Sequence, residues 1–353
     1  MSKLNWLLLF CPLAIGLEVL THDRYLLIFV VSSLAILPLA GWMGWATEQL
    51  AERMGEGIGG LLNATFGNAA ELIIALAALH AGLPDVVKAS VAGSIIGNIL
   101  LVLGAAMLTG GLRHSEQHYN PIGARSQATM LTLAAIALIL PAAFQSVVSN
   151  ARVLGQLSVS ISVVLLLVYT LFLAFSLVTH SSLFTGSDAA EKEGTHASVA
   201  RASLILAGAT VLVAWMSEIM VGAIEPTAHE IGLNNVFVGV FVVAIVGNAA
   251  EHATAISAAM KNRMDLSLSI AIGSSVQVAL FVAPVLVFAS YLLGPVPMDL
   301  AFAPGLVLMV LLAVLITGQI AGDGRSDWLK GLQLVAVYLV LGLTFFFLPS
   351  EHS

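Results

Sequence analysis

The sequence predicts an all-α polytopic membrane protein of about 11 transmembrane helices: one extra N-terminal helix, then two inverted five-helix repeats. Three observations carry this. Of 353 residues, 59% are hydrophobic and only 9% charged, where a soluble domain carries about 25% charged residues. Apolar runs of about 20 residues, enough to cross a hydrocarbon core, recur along the chain. Finally, the stretch Asn63-Ala-Thr-Phe-Gly-Asn-Ala-Ala-Glu71 returns 180 positions later as Val243-Ala-Ile-Val-Gly-Asn-Ala-Ala-Glu251.

The first apolar run, roughly 4–20, follows Lys3 as a signal peptide would. No small-residue cleavage site ends it and further spans follow directly, so it is expected to be retained. Phe10 and Pro12 beside Cys11 argue against lipid attachment there, and a lone cysteine forms no internal disulfide. Ten more spans are expected, at roughly 25–47, 58–81, 86–111, 125–144, 155–178, 199–224, 235–260, 267–293, 301–321 and 328–348. Residues 1–22 then form the extra helix, 25–178 the first repeat and 199–348 the second. Residues 179–198 form an acidic cytoplasmic linker with Asp188, Glu191 and Glu193.

Orientation follows from the basic residues of the loops. Placing the N-terminus and every second loop on one side collects Lys3, Arg53, Arg113, Arg125, Lys192, Arg201, Lys261, Arg263, Arg325 and Lys330. The other side keeps Arg24, Lys88 and Arg152. The N-terminus is therefore expected in the cytoplasm. Five spans per repeat is an odd number, so the halves insert with opposite polarity, the plan of secondary transporters with a midplane site. The formal charge of −7, without a basic cluster, gives no sign of a nucleic-acid partner.

The repeated motif places Glu71 and Glu251 inside membrane spans. A charged carboxylate there costs about 2.5–3.5 kcal/mol or more, which makes it a functional candidate. No Lys or Arg occurs between Arg53 and Lys88, nor between Arg201 and Lys261. The negative charges must be met by protons or by a cation from outside the chain. Thr65, Asn68 and Glu71 share a helix face, and Asn248, Glu251 and His252 approximately do. Gly67 and Gly247 permit a local break or a close helix contact. The following helices keep the offset, Gly93-Ser94 matching Gly273-Ser274, and add Asn98, Ser275 and Gln277. Two carboxylates with amide and hydroxyl oxygens suit a hard divalent cation such as Ca²⁺. Protons and cation then compete for the same oxygens.

His252, beside Glu251, is a candidate proton relay or a plain hydrogen-bonding neighbour. Glu218, another acid deep in a span, belongs to a proton path or to the outer mouth. Asp85 and Asp265, which open matching helices, are expected as N-caps. Glu48, Glu52 and Glu56, with the linker acids, form a solvated face or an electronegative mouth that gathers cations.

With these motifs the chain resembles the calcium/proton exchanger (CAX) family of the calcium/cation antiporter superfamily. The resemblance covers nearly the whole chain. It implies that Glu71 and Glu251 bind Ca²⁺ and exchange it for H⁺, that the neighbouring Asn, Ser and Gln residues line the site, and that Ca²⁺ leaves the cytoplasm. Ser-Pro-Glu and Ser-Pro-Asp-like cores, typical of the Na⁺/Ca²⁺ branch, are absent. The sparse linker acids give no support for a regulatory role. Lack of the long N-terminal extension described for plant relatives fits a prokaryotic plasma (inner) membrane. Expected partners are Ca²⁺, H⁺ and the lipid bilayer, with a homo-oligomer left open and no cofactor. The alternatives are Na⁺/Ca²⁺ or Mn²⁺/H⁺ exchange on the same fold, a cation channel, and an intramembrane hydrolase using both glutamates with His252. The last lacks a recognisable nucleophile or an H-E-x-x-H motif.

Overall fold

The computed structural model describes residues 5–21, 23–148, 150–180 and 198–347. The linker acids Asp188, Glu191 and Glu193 lie outside these residues. Among them, nine helical runs are long and apolar enough to cross a membrane, and two shorter apolar runs, Asn5–Leu20 and Ala69–His80, accompany them. The chain is a multi-pass membrane protein.

The first repeat contains α2 (Tyr25–Phe66), α3 (Ala69–His80), α4 (Pro84–Ile96), α5 (Leu103–His114), α6 (Pro121–Gln145) and α7 (Ala151–Ala174), preceded by α1 (Phe10–Leu20). The second contains α8 (Val199–Gly222), α9 (Ile224–Ile231), α10 (Asn235–Phe237), α11 (Ala244–Met260), α12 (Met264–Gln277), α13 (Ala283–Leu293), α14 (Pro304–Ala321) and α15 (Trp328–Phe346).

Helix α2 differs from expectation. A loop was expected between spans at 47 and 58, yet helical hydrogen bonding continues for 42 residues. The helix cannot be straight. A Cβ on Gly59 would run into the carbonyl of Ala51, whereas eight residues of straight helix span about 12 Å. The chain therefore folds back sharply between them, in a sequence rich in glycine, the usual cause of such bends. Two arms result from one hydrogen-bonded run.

The Asp85 and Asp265 caps are not formed. Leu83 and Arg263 occupy the N-cap positions without side-chain bonds, because Pro84 and Met264 already open the helices. Asp265 instead accepts the backbone N–H of Asn120 at 2.7 Å. This contact belongs to a seam that joins three loops. Strand β1 (Glu116–His118) pairs antiparallel with β2 (Arg325–Asp327), and the buried Gln117 amide donates to Ala259 O at 2.9 Å. Tyr119 donates its hydroxyl to Ile320 O at 2.6 Å. Burial, then the nearby Asp323 charge, push that phenol up to about 12, so it remains a donor at physiological pH. At the other end of the bundle, Lys88 pairs with Asp299 at 2.6 Å and also donates to Ala301 O.

The helices nearest the centre approach backbone to backbone. A Cβ on Gly93 would lie 2.6 Å from the Cα of Val240, and one on Gly239 would lie 2.7 Å from the Cβ of Ala89. The contact joins α4 to the π-helical segment Val238–Val243 of the opposite repeat. Gly93→Ala is expected to cost about 1–3 kcal/mol by overpacking. Gly97→Ala has nothing within 4 Å and should leave stability unchanged or raise it. Thermal unfolding of both variants in detergent checks the contrast; equal melting temperatures would contradict the close approach.

Candidate cation site

The two copies of Gly-Asn-Ala-Ala-Glu fold differently. In the first, the helix is interrupted at Gly67 and Asn68, and α3 restarts at Ala69. Glu71 thus sits in the first turn of a helix, where backbone N–H groups lack helical partners. In the second, α11 runs through Gly247 without a break. Here glycine provides room: a Cβ at 247 would lie 3.1 Å from Cγ of Glu71. Glu251 follows Gly247 by four residues, hence on the same face. The two glutamate side chains are thereby brought to the same region between the repeats.

Around them runs a network crossing between repeats. Asn68 donates to Gln277 Oε1 at 2.5 Å, and its own Oδ1 accepts from Ser274 at 2.9 Å. Asn248 donates to Ser94 at 3.0 Å, and Asn98 donates to Asn248 Oδ1 at 3.5 Å and to Ser274 at 3.2 Å. Each motif asparagine is thereby held by the Gly-Ser serine and one amide of the opposite repeat. Those partners lie one helical turn apart, Ser94 with Asn98 and Ser274 with Gln277. The sequence offset aligns Gly97, not Asn98, with Gln277, so the second amide pairing emerges only in three dimensions. His252 lies 3.0 Å from Asn98 Oδ1.

At these ligand candidates both helices widen into π-helical turns, Gly97–Val102, which includes Asn98, and Val278–Val282, which follows Gln277. Such turns leave the ordinary hydrogen-bond ladder and are frequent at functional sites. Nothing in the residue pattern announces them.

Glu71 Oε1 and Glu251 Oε2 are shielded from solvent and have no hydrogen-bond partner. Neither acid forms an ion pair with Lys or Arg among the described residues. Nowhere among those residues do three or more His, Cys, Asp or Glu side chains gather to hold a metal. The oxygen set is therefore two acids plus neutral amides and hydroxyls.

Three expected residues stand apart from this network. Thr65 returns its hydroxyl to Leu61 O at 2.8 Å, a local bond that its helix satisfies without the site. Ser275 is buried but donates to Ala271 O and Ile95 O, tying α12 to α4. Glu218 is exposed near the end of α8, away from the buried network. Glu218→Gln is accordingly expected to change transport less than about twofold, the effect of an exposed substitution. A larger loss in vesicle flux would return it to the mechanism.

A profile of the family described as "Sodium/calcium exchanger protein" matches residues 24–178 and 202–347. A Ca(2+)/H(+) antiporter of Synechocystis sp. is 46% identical, covering 98% of this chain and 97% of its own. The Ca(2+)/H(+) antiporter ChaA of Bacillus subtilis is 45% identical, covering 93% and 94%. The crystal structure of the Ca2+/H+ antiporter YfkE superposes with a TM-score of 0.85 at 39% identity, covering 99% of this chain and 100% of that one. An H+/Ca2+ exchanger CAX structure, at 17% identity and a TM-score of 0.70, shares the fold.

Proposed function

The chain belongs to the sodium/calcium exchanger protein family, and on that premise we propose that it exchanges Ca²⁺ for H⁺ across a membrane by alternating access, exporting Ca²⁺ from the cytoplasm. The observation that carries this reading is the pair of shielded, unpartnered carboxylate oxygens on Glu71 and Glu251. A buried charge without an internal counter-ion needs a ligand. Ca²⁺ accepts six to eight oxygens in flexible geometry. The two glutamates, with carbonyl oxygens from the amides of Asn68, Asn98, Asn248 and Gln277 and the hydroxyls of Ser94 and Ser274, supply donors of that kind. When the cation leaves, protons take its place on the same oxygens, and the site is neutral in both states.

The high identity to several Ca²⁺/H⁺ antiporters supports this ion choice over Na⁺/Ca²⁺ or Mn²⁺/H⁺ exchange. No enzymatic step is needed. The bias of basic residues toward one set of loops supports a cytoplasmic N-terminus, and the prokaryotic antiporters it is similar to fit a plasma membrane. Two inverted repeats at 25–178 and 199–348, joined by the 179–198 linker, supply the two arrangements that alternating access requires.

The test is Ca²⁺ uptake into sodium-free vesicles under an imposed pH gradient. Uptake should occur, collapse with a protonophore, and show weaker apparent Ca²⁺ affinity as pH falls on the binding side, because protons and Ca²⁺ compete. Uptake that required sodium, or that ignored the pH gradient, would overturn the assignment.

A further inference from the structure

We propose that the cleft between the start of α6 and the end of α14 binds the phosphate of an anionic phospholipid. The cleft has a volume of about 400 Å³ and is lined by Pro121, Ile122, Arg125, Ser126, Thr129 and Gly322. It lies outside the cation site and plays no part in the exchange chemistry. The inference rests on the chain spanning a bilayer, with this end of α6 at the membrane boundary.

Arg125 is the centre of the cleft. Its Nη2 donates to Gly322 O at 3.3 Å, where that carbonyl caps the end of α14. Among the described residues no carboxylate ion-pairs with it. A guanidinium offers five N–H donors in a planar fork that suits phosphate oxygens. One backbone carbonyl holds the fork in place and leaves other donors unspent. Ser126 adds a hydroxyl, and Thr129 presents an oxygen whose own proton is committed to Arg125 O at 2.9 Å.

The same helix face gives the occupant its second half. Ile122, Leu133, Ile136, Leu140 and Phe144 are exposed large apolar residues on α6. From 133 onward they recur at three- and four-residue steps and form a stripe along the helix. On a bilayer-spanning helix an exposed apolar stripe faces acyl chains. A cation-lined cleft at the head of an acyl-facing stripe matches one molecule carrying both a phosphate and acyl chains. Basic pockets between transmembrane helices bind anionic headgroups in this manner. A soluble phosphate would use the cleft and leave the stripe unused.

The experiment reconstitutes the full chain in nanodiscs of mixed phosphatidylglycerol and phosphatidylcholine. It then delipidates partially and measures retained lipid by native mass spectrometry. The native chain should retain phosphatidylglycerol preferentially, and Arg125→Gln should reduce that preference about fivefold or more. Arg125→Lys should restore part of it, and Ser126→Leu, which narrows the cleft and keeps the charge, should weaken it. Equal enrichment in the native chain and Arg125→Gln would overturn the proposal. So would Arg125-dependent binding of inorganic phosphate in pure phosphatidylcholine discs without any phosphatidylglycerol preference. Retention is read without an ion gradient, so failure of the exchange function leaves this result interpretable.

Discussion

Glu71→Gln and Glu251→Gln are each expected to abolish proton-driven Ca²⁺ uptake, measured in sodium-free vesicles against the native chain at matched expression. The amide keeps the shape of the carboxyl and removes both properties the exchange needs, negative charge and a proton that can leave. Losing one of two charges facing a divalent cation also leaves the bound state with a net positive charge in a low-dielectric site, where each such imbalance costs several kcal/mol. A loss of several kcal/mol corresponds to at least about a thousandfold in affinity. Both variants should fold, because the cation-free site already holds its acids as neutral carboxyls and glutamine is a neutral side chain of the same shape. Their melting temperature should therefore match that of the native chain. Normal uptake by either variant would refute the mechanism. Lost uptake with a collapsed melting transition would instead place the glutamates in the fold.

The second large effect is expected at Gly247, a residue without any ligand atom of its own beyond the backbone. Its Cα supports Glu71, and an added Cβ would lie 3.1 Å from Cγ of that side chain. Gly247→Val adds two further carbons in the same direction and must displace the carboxylate. Overpacking of this kind costs about 1–3 kcal/mol. If that cost falls on the cation-bound arrangement, apparent Ca²⁺ affinity drops about 5–150-fold. Gly67→Ala provides the comparison. There the added carbon would lie 2.7 Å from Asn63 O, within its own chain, and 3.7 Å from Gln277 Oε1. That variant should change stability at the helix break before it changes affinity. A calcium titration of flux for both variants separates the two. Unaltered affinity in Gly247→Val would mean that Glu71 does not need the place it occupies here.

The contrast between these glycines shows what repetition of residues does and does not convey. Identical pentapeptides imply similar surroundings, and the surroundings are indeed related: each motif asparagine meets a serine from the other repeat. The backbone nevertheless breaks at one glycine and runs straight through the other. A five-residue motif cannot encode that difference. It depends on what packs against each copy, Gln277 near Gly67 and Glu71 against Gly247. The displaced roles of Thr65 and Ser275 have a simpler origin. A hydroxyl in a helix can always bond the carbonyl one turn back, so a favourable face alone does not place it in a site.

Composition, apolar run lengths and the 180-residue offset were sufficient by themselves for a helical membrane protein in two related halves. They were also sufficient for a pair of acids that no lysine or arginine nearby in the chain could neutralise. These properties are legible because they depend on residue type and spacing, which the bilayer tests one segment at a time. Tertiary structure alone decided the sharp fold inside α2, the π turns beside the site, the Asn98–Asn248 pairing and the seam of Gln117, Asp265 and β1–β2. Each of those depends on contacts between residues far apart in the chain, where packing and hydrogen bonding select one arrangement among many that local pattern permits.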